Sequence, residues 1–158
     1  MRPIDVTATP AYVAIGANLG DAQATVRRAM DDLASLPRTR LAARSSLYRS
    51  APLEAQGPDF INAVVELRTG LAPPALLAEL QRLEAEAGRE RPYRNAPRTL
   101  DLDLLRHGDT TMQSAVLTLP HPRMGERAFV LLPLAEIAPA LVSAAQLARV
   151  AGQRVERL

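Results

Sequence analysis

Ala96-Pro97-Arg98-Thr99-Leu100-Asp101-Leu102-Asp103-Leu104-Leu105 sets two carboxylates into an otherwise apolar strand. Side chains alternate faces along a strand, so Asp101 and Asp103 point one way while Leu100, Leu102 and Leu104 point the other. On that spacing the two Asp Cα atoms lie roughly 6.5 Å apart. Aspartate is depleted in strands, and two like charges on one face repel unless something positive lies between them. A divalent cation is the natural occupant; the alternative is the polar face of a half-buried edge strand that meets water. Just upstream, Arg89, Arg91, Arg94 and Arg98 are interrupted by Pro92 and Pro97. Guanidinium groups bind phosphate oxygens bidentately, and a neighbouring acidic pair can hold Mg²⁺ that bridges the same phosphates. Together they read as a polyphosphate site.

Toward the N-terminus, Pro73 and Pro74 open a helix that runs to Ala87 and closes at Gly88. Leu76, Leu77, Leu80, Leu83 and Ala87 form its apolar stripe, with Gln81 and Glu84 one turn apart beside it. Phe60 to Thr69 reads as a strand with Ile61, Ala63, Val65 and Leu67 opposing Phe60, Asn62, Val64 and Glu66. Before it, residues 49–59 form a Pro- and Gly-containing loop, and Thr39 to Tyr48 reads as one further strand. Tyr12 to Gly16 is a short apolar run suited to a central strand, followed by a helix capped at Asp21. Its stripe is Ala22, Val26, Ala29, Met30, Leu33 and Leu36, and Pro37 stops it.

Toward the C-terminus, His107-Gly108-Asp109 is a turn, and Val116 to Leu119 is a short strand leading into Pro120-His121-Pro122. Arg123 to Phe129 enters a helix expected to end near Pro133. The tail from Ala140 to Leu158 reads as helical and auxiliary, without chemistry. The order βαββαβ implies an α+β sandwich of ferredoxin-like type, an antiparallel sheet with helices packed on one face, plus a short extra strand and C-terminal helices. Residues 1–10 are expected to be a flexible segment and 11–158 a single domain.

The composition narrows the chemistry. All 19 basic residues are Arg, so neither a P-loop lysine nor a kinase strand lysine exists. There is no cysteine, and two histidines argue against a zinc site. The net charge is only +2, so the basic groups are clustered more than they are in excess. No stretch approaches the ~20 apolar residues that span a bilayer, and Met1 to Pro10 has no leader-like apolar run. A cytoplasmic protein without membrane or nucleic-acid partners is expected. The rivals are an RNA-binding sheet, which wants more exposed aromatics than five in the whole chain, and a regulatory domain that binds a nucleotide without turning it over.

The stretch Arg91-Pro92-Tyr93-Arg94-Asn95-Ala96-Pro97-Arg98-Thr99-Leu100-Asp101-Leu102-Asp103-Leu104-Leu105 resembles the signature of the 6-hydroxymethyl-7,8-dihydropterin pyrophosphokinases. The likeness extends from about Tyr12 to about Pro139. It implies transfer of pyrophosphate from ATP to the pterin hydroxymethyl group with release of AMP, in folate biosynthesis, with two Mg²⁺ held by Asp101 and Asp103. It implies Asp101, Asp103, Arg91 and Arg98 as the catalytic set. Gln81, Glu84, Arg89, Arg91, Arg98, Leu104, Thr118, His121 and Arg127 would then contact ATP. Ser50, Ala51, Leu53, Phe60, Asn62, Asp101 and Phe129 would line the pterin pocket, in a protein expected to act as a monomer. Many members carry a Trp two residues before the Pro-Arg pair, where this chain has Asn95; Tyr93 is the nearby aromatic.

Overall fold

The computed structural model describes residues 8–52, 57–88 and 100–158. Strand β1 (Thr9–Ala17) leads through helix α1 (Ala22–Ala34) to β2 (Thr39–Arg44), β3 (Tyr48–Ser50) and β4 (Phe60–Thr69). Helix α2 (Pro73–Gly88) follows, then β5 (Asp101–His107) and the small pair β6 (Met112–Gln113) and β7 (Thr118–Leu119). Helices α3 (Ala128–Ile137) and α4 (Ala144–Arg149) and strand β8 (Val155–Arg157) complete the chain. The main sheet runs β5-β1-β4-β3-β8, with β2 also paired to β4, and its pairings are antiparallel.

Alternation along β1 and β4 builds the core. Val13 and Ile15 of β1 join Ile61, Ala63, Val65 and Leu67 of β4 on one face, under Val26, Met30 and Leu33 of α1 and Leu76 and Leu80 of α2. Burying each such large aliphatic side chain stabilises the fold by roughly 1.5–3 kcal/mol. Asp21 caps α1 as expected, its Oδ1 accepting the Ala24 N–H at 3.1 Å.

The structure corrects four expectations. Helices cover both faces of the sheet: Val64 of β4 and Leu105 of β5, on the side of the aspartates, pack with Val130 and Leu134 of α3. Thr39 to Tyr48 is two strands, because the Ser45 hydroxyl replaces a backbone acceptor and takes the Val64 N–H at 3.0 Å. Pro133 lies inside α3 and does not end it; burial of Val130, Leu131 and Leu134 outweighs one missing backbone hydrogen bond. The tail is not simply helical, since Val155–Arg157 adds a strand against β3. In addition, β1 begins at Thr9, so Thr9 and Pro10 belong to the sheet. Residues 1–7 of the expected flexible segment lie outside the described residues.

Glu136 of α3 ties these late elements together. Its carboxylate accepts hydrogen bonds from the Ser46 backbone and hydroxyl at 3.0 Å, from Tyr48 Oη at 2.7 Å, and from Arg157 at 3.4 Å. Burial alone would raise the Glu136 pKa, but the Tyr48, Ser46 and Arg157 contacts together hold it below its ordinary value. Burial, then the bond to Glu136 and its charge, push Tyr48 up to about 12. A lowered carboxylate pKa stabilises the fold above the unfolded value of 4.5, and the contribution is lost as pH falls through the folded value. The raised Tyr48 pKa contributes fully below 10.0 and is lost as pH rises through about 12. Thermal melts across the acid range should therefore decline less steeply for Glu136→Gln than for the wild type, from a lower starting value.

Candidate active site

Asp101 and Asp103 occupy the N-terminal half of β5, which is an edge strand of the main sheet, and both are half-buried. They lie opposite Gly16 and Ala14 of β1 in register, and Gly16 and Ala14 in turn lie opposite Asn62 and Val64 of β4. Small residues at alternate positions of β1 leave an open floor between the acids and β4. A cleft of about 670 Å³ stands on that floor. It is lined by Asp101 and Asp103 on one side and by Ser50, Ala51, Phe60 and Asn62 on the other. His121, Arg123, Arg127 and Phe129 border it from the segment that leads into α3.

Each wall is held from behind. Glu84 of α2 accepts the Leu102 N–H at 2.7 Å, so the edge strand is tied to the helix at the peptide between the two acids. Asn62 is 4% exposed and donates to Ser50 Oγ at 2.7 Å. That bond orients the amide and joins β4 to β3. The Arg127 guanidinium lies 5.5 Å from the Phe129 ring centroid, a cation–π stack in which the ring supports the cation.

His121 Nδ1 accepts the Arg123 backbone N–H at 3.2 Å, so the neutral ring carries its proton on Nε2, where it can donate. Burial lowers the His121 pKa; Asp103 opposes that shift, and Arg127 and Arg123 reinforce it. The histidine is thus a neutral donor between an acid and two cations.

Two carboxylates on one strand are hard oxygen donors. Among the described residues, no group of three or more His, Cys, Asp or Glu could hold a metal ion by itself. The donor set fits Mg²⁺ in its nucleotide-site form, which takes one or two carboxylates and completes its octahedron with water and phosphate oxygens.

Of the residues singled out in the sequence, the cleft brings together Ser50, Ala51, Phe60, Asn62, Glu84, Asp101, Asp103, His121, Arg127 and Phe129. Gln81 is exposed on α2 and does not line it. Leu104 is buried in the core beneath the helices, and Thr118 stands on β7; neither lines the cleft. Leu53, Arg89, Arg91 and Arg98, with Tyr93, Arg94 and Asn95, lie outside the described residues. Sequence reasoning missed Arg123 and the small floor residues Ala14 and Gly16. The alternation of Ala14 and Gly16 with Val13 and Ile15 was the available signal for the floor.

A model of the 7,8-dihydro-6-hydroxymethylpterin-pyrophosphokinase (HPPK) family matches residues 12–139. The chain belongs to this family. A Pseudomonas aeruginosa member, a 2-amino-4-hydroxy-6-hydroxymethyldihydropteridine pyrophosphokinase, is 49% identical over 131 residues, covering 82% of this chain and 81% of that one. A Haemophilus influenzae protein of the same name is 46% identical over 133 residues, covering 84% and 83%. A Plasmodium falciparum HPPK-DHPS crystal structure superposes with a TM-score of 0.67 over 85% of this chain at 12% identity. That likeness is one of fold, and this HPPK chain spans 42% of the longer solved protein.

Proposed function

We propose that the chain transfers pyrophosphate from ATP to the hydroxymethyl group of 6-hydroxymethyl-7,8-dihydropterin, releasing AMP. The observation that carries this reading is the convergence of Asp101 and Asp103 with His121, Arg123 and Arg127 in one cleft, beside Phe60, Asn62 and Phe129. One half of that cleft suits a polyphosphate. The other suits a flat heterocycle with paired donors and acceptors.

The pterin ring binds with π surface from Phe60 and Phe129, and the Asn62 amide, held by Ser50, reads its polar edge. The hydroxymethyl oxygen attacks the β-phosphorus in line as the bond to the α-phosphate oxygen breaks, so AMP leaves. Asp101, at the pterin end, takes the hydroxyl proton. Arg127, Arg123 and the Nε2–H of His121 offset charge spreading over the phosphate oxygens of a loose transition state. Arg91 and Arg98 are assigned the same duty. Asp101 and Asp103 would hold the two Mg²⁺, which when bound would supply charge neutralisation and Lewis-acid polarisation of the phosphate oxygens. No residue forms a covalent bond to substrate; positioning and charge carry the rate.

The strand order, with β1 and β4 central and β5 at the edge, supports a ferredoxin-like description with α3 added on the second face. No helix among the described residues is long and apolar enough to cross a membrane. The ATP-dependent reading goes with a cytoplasmic monomer.

Incubation with ATP, Mg²⁺ and the reduced pterin alcohol should yield AMP. Production of ADP, or no nucleotide product, would overturn the reading. The floor gives a second test. A Cβ on Gly16 would stand 3.6 Å from Asn62 Oδ1 and 3.9 Å from Phe60 Cδ1, ordinary contacts that the fold accommodates. In Gly16→Val the branched side chain occupies the cleft instead, so KM for the pterin should rise about tenfold or more, roughly 1.4 kcal/mol of lost binding. The melting temperature should change little.

A further inference from the structure

We propose that Gln153, in the turn after α4, is a positioning residue for Arg127, a role that rests on the reading of Arg127 as a phosphate ligand. The side-chain amide of Gln153 grips the two peptide groups that flank Arg127. Its Oε1 accepts the Ala128 N–H at 2.9 Å, and its Nε2 donates to the Glu126 carbonyl at 2.8 Å. Only one orientation of the amide satisfies both partners.

The segment needs an outside hold. Arg127 is extended, at φ −124° and ψ 110°, and is the N-cap of α3 without any side-chain cap of its own. Its N–H reaches the Met124 carbonyl only at 3.5 Å, a marginal bond. The first N–H of a helix has no partner within it, and Gln153 supplies one to Ala128 from 25 residues further on. The clamp is itself anchored. Val150 is 3% exposed and packs with Ala128 and Leu131, and its carbonyl accepts the Gln153 N–H at 2.9 Å. A tail with no side chain in the cleft thereby sets the backbone angles of a cleft arginine, and through it the guanidinium stacked on Phe129.

Gln153 is solvent-exposed but Ala128 is 1% exposed, so losing Gln153 leaves that N–H without its acceptor and should lower the melting temperature as well, which is why a destabilised control is needed beside it. Gln153→Leu removes both bonds. Gln153→Glu keeps the acceptor for Ala128 but turns a carboxylate oxygen on the Glu126 carbonyl. The measurements are KM for ATP and, independently of turnover, the calorimetric Kd of a non-hydrolysable ATP analogue with Mg²⁺.

Both values should rise about tenfold in Gln153→Leu and by a smaller factor in Gln153→Glu, with the pterin KM unchanged. In an Arg127→Ala background, Gln153→Leu should add nothing further. Arg157→Ala, which removes the β8 side chain bonded to Ser46 Oγ and Glu136 and to no residue of 126–128, should lower the melting temperature and leave KM for ATP alone. Unchanged ATP affinity in Gln153→Leu, or an equal further loss on top of Arg127→Ala, would overturn the proposal. Failure of the wild type to form AMP would instead refute the assigned reaction, and the calorimetric arm would still decide whether Gln153 acts through Arg127.

Discussion

Asp101→Ala and Asp103→Ala should each lower kcat by about 10³-fold or more, corresponding to about 4 kcal/mol of lost transition-state stabilisation. The size follows from geometry. The two carboxylates share one face of the edge strand and one wall of the cleft, and among the described residues no group of three or more His, Cys, Asp or Glu is placed to hold a metal ion, so the two act as a pair. Removing one therefore abolishes cation placement where a richer ligand set would merely be weakened. Neither side chain belongs to the buried core, so the melting temperatures should stay near that of the wild type. Initial rates at saturating Mg²⁺ check the prediction; wild-type turnover in both variants would refute the assignment.

Leu105→Ala should cost about 2–5 kcal/mol of stability, a fall of roughly 5–15 °C in melting temperature. Leu105 is 1% exposed. It sits where the β1–β5 register shifts: Val13 pairs with Leu104 and Tyr12 with Arg106. The alternation that aligns Asp101 with Asp103 carries on to put Leu105 under α3, against Val64, Val130 and Leu134, at the bulge. Because α3 carries Phe129, the cavity left by truncation should also raise the pterin KM, whereas a Leu truncated under α1 or α2 should destabilise without that effect. Equal pterin KM values for Leu105→Ala and Leu33→Ala would contradict the link between Leu105 and the site.

How much was legible in the chain differs between its parts. Helices α1 and α2 and strands β1, β4 and β5 follow from periodicity, since each presents one clean apolar face to the same core. The break at Ser45 could not be read from alternation, because it depends on a hydroxyl finding the Val64 N–H across the sheet. Pro133 misleads for a related reason: its cost is met by burial of neighbours that only the tertiary fold supplies. The C-terminal segment has too little apolar pattern to announce a strand, and its value lies in contacts with β3, Glu136 and the start of α3.

The site divides in the same way. Asp101, Asp103, Phe60 and Asn62 were legible because a polar or aromatic side chain interrupts an apolar strand at a fixed parity. Arg123 was not, since an arginine in an irregular segment carries no periodicity to mark which way it points. Gln153 was invisible in the sequence for a stronger reason, as its action is wholly through two backbone groups far from it in the chain.

Crystals grown with the pterin alcohol, a non-hydrolysable ATP analogue and Mn²⁺ in place of Mg²⁺ test the central claim most directly, through the anomalous scattering of the metal. Metal peaks within coordination distance of both Asp101 and Asp103 and of the triphosphate oxygens are the predicted result. Triphosphate bound in the cleft with no metal touching either carboxylate would contradict it.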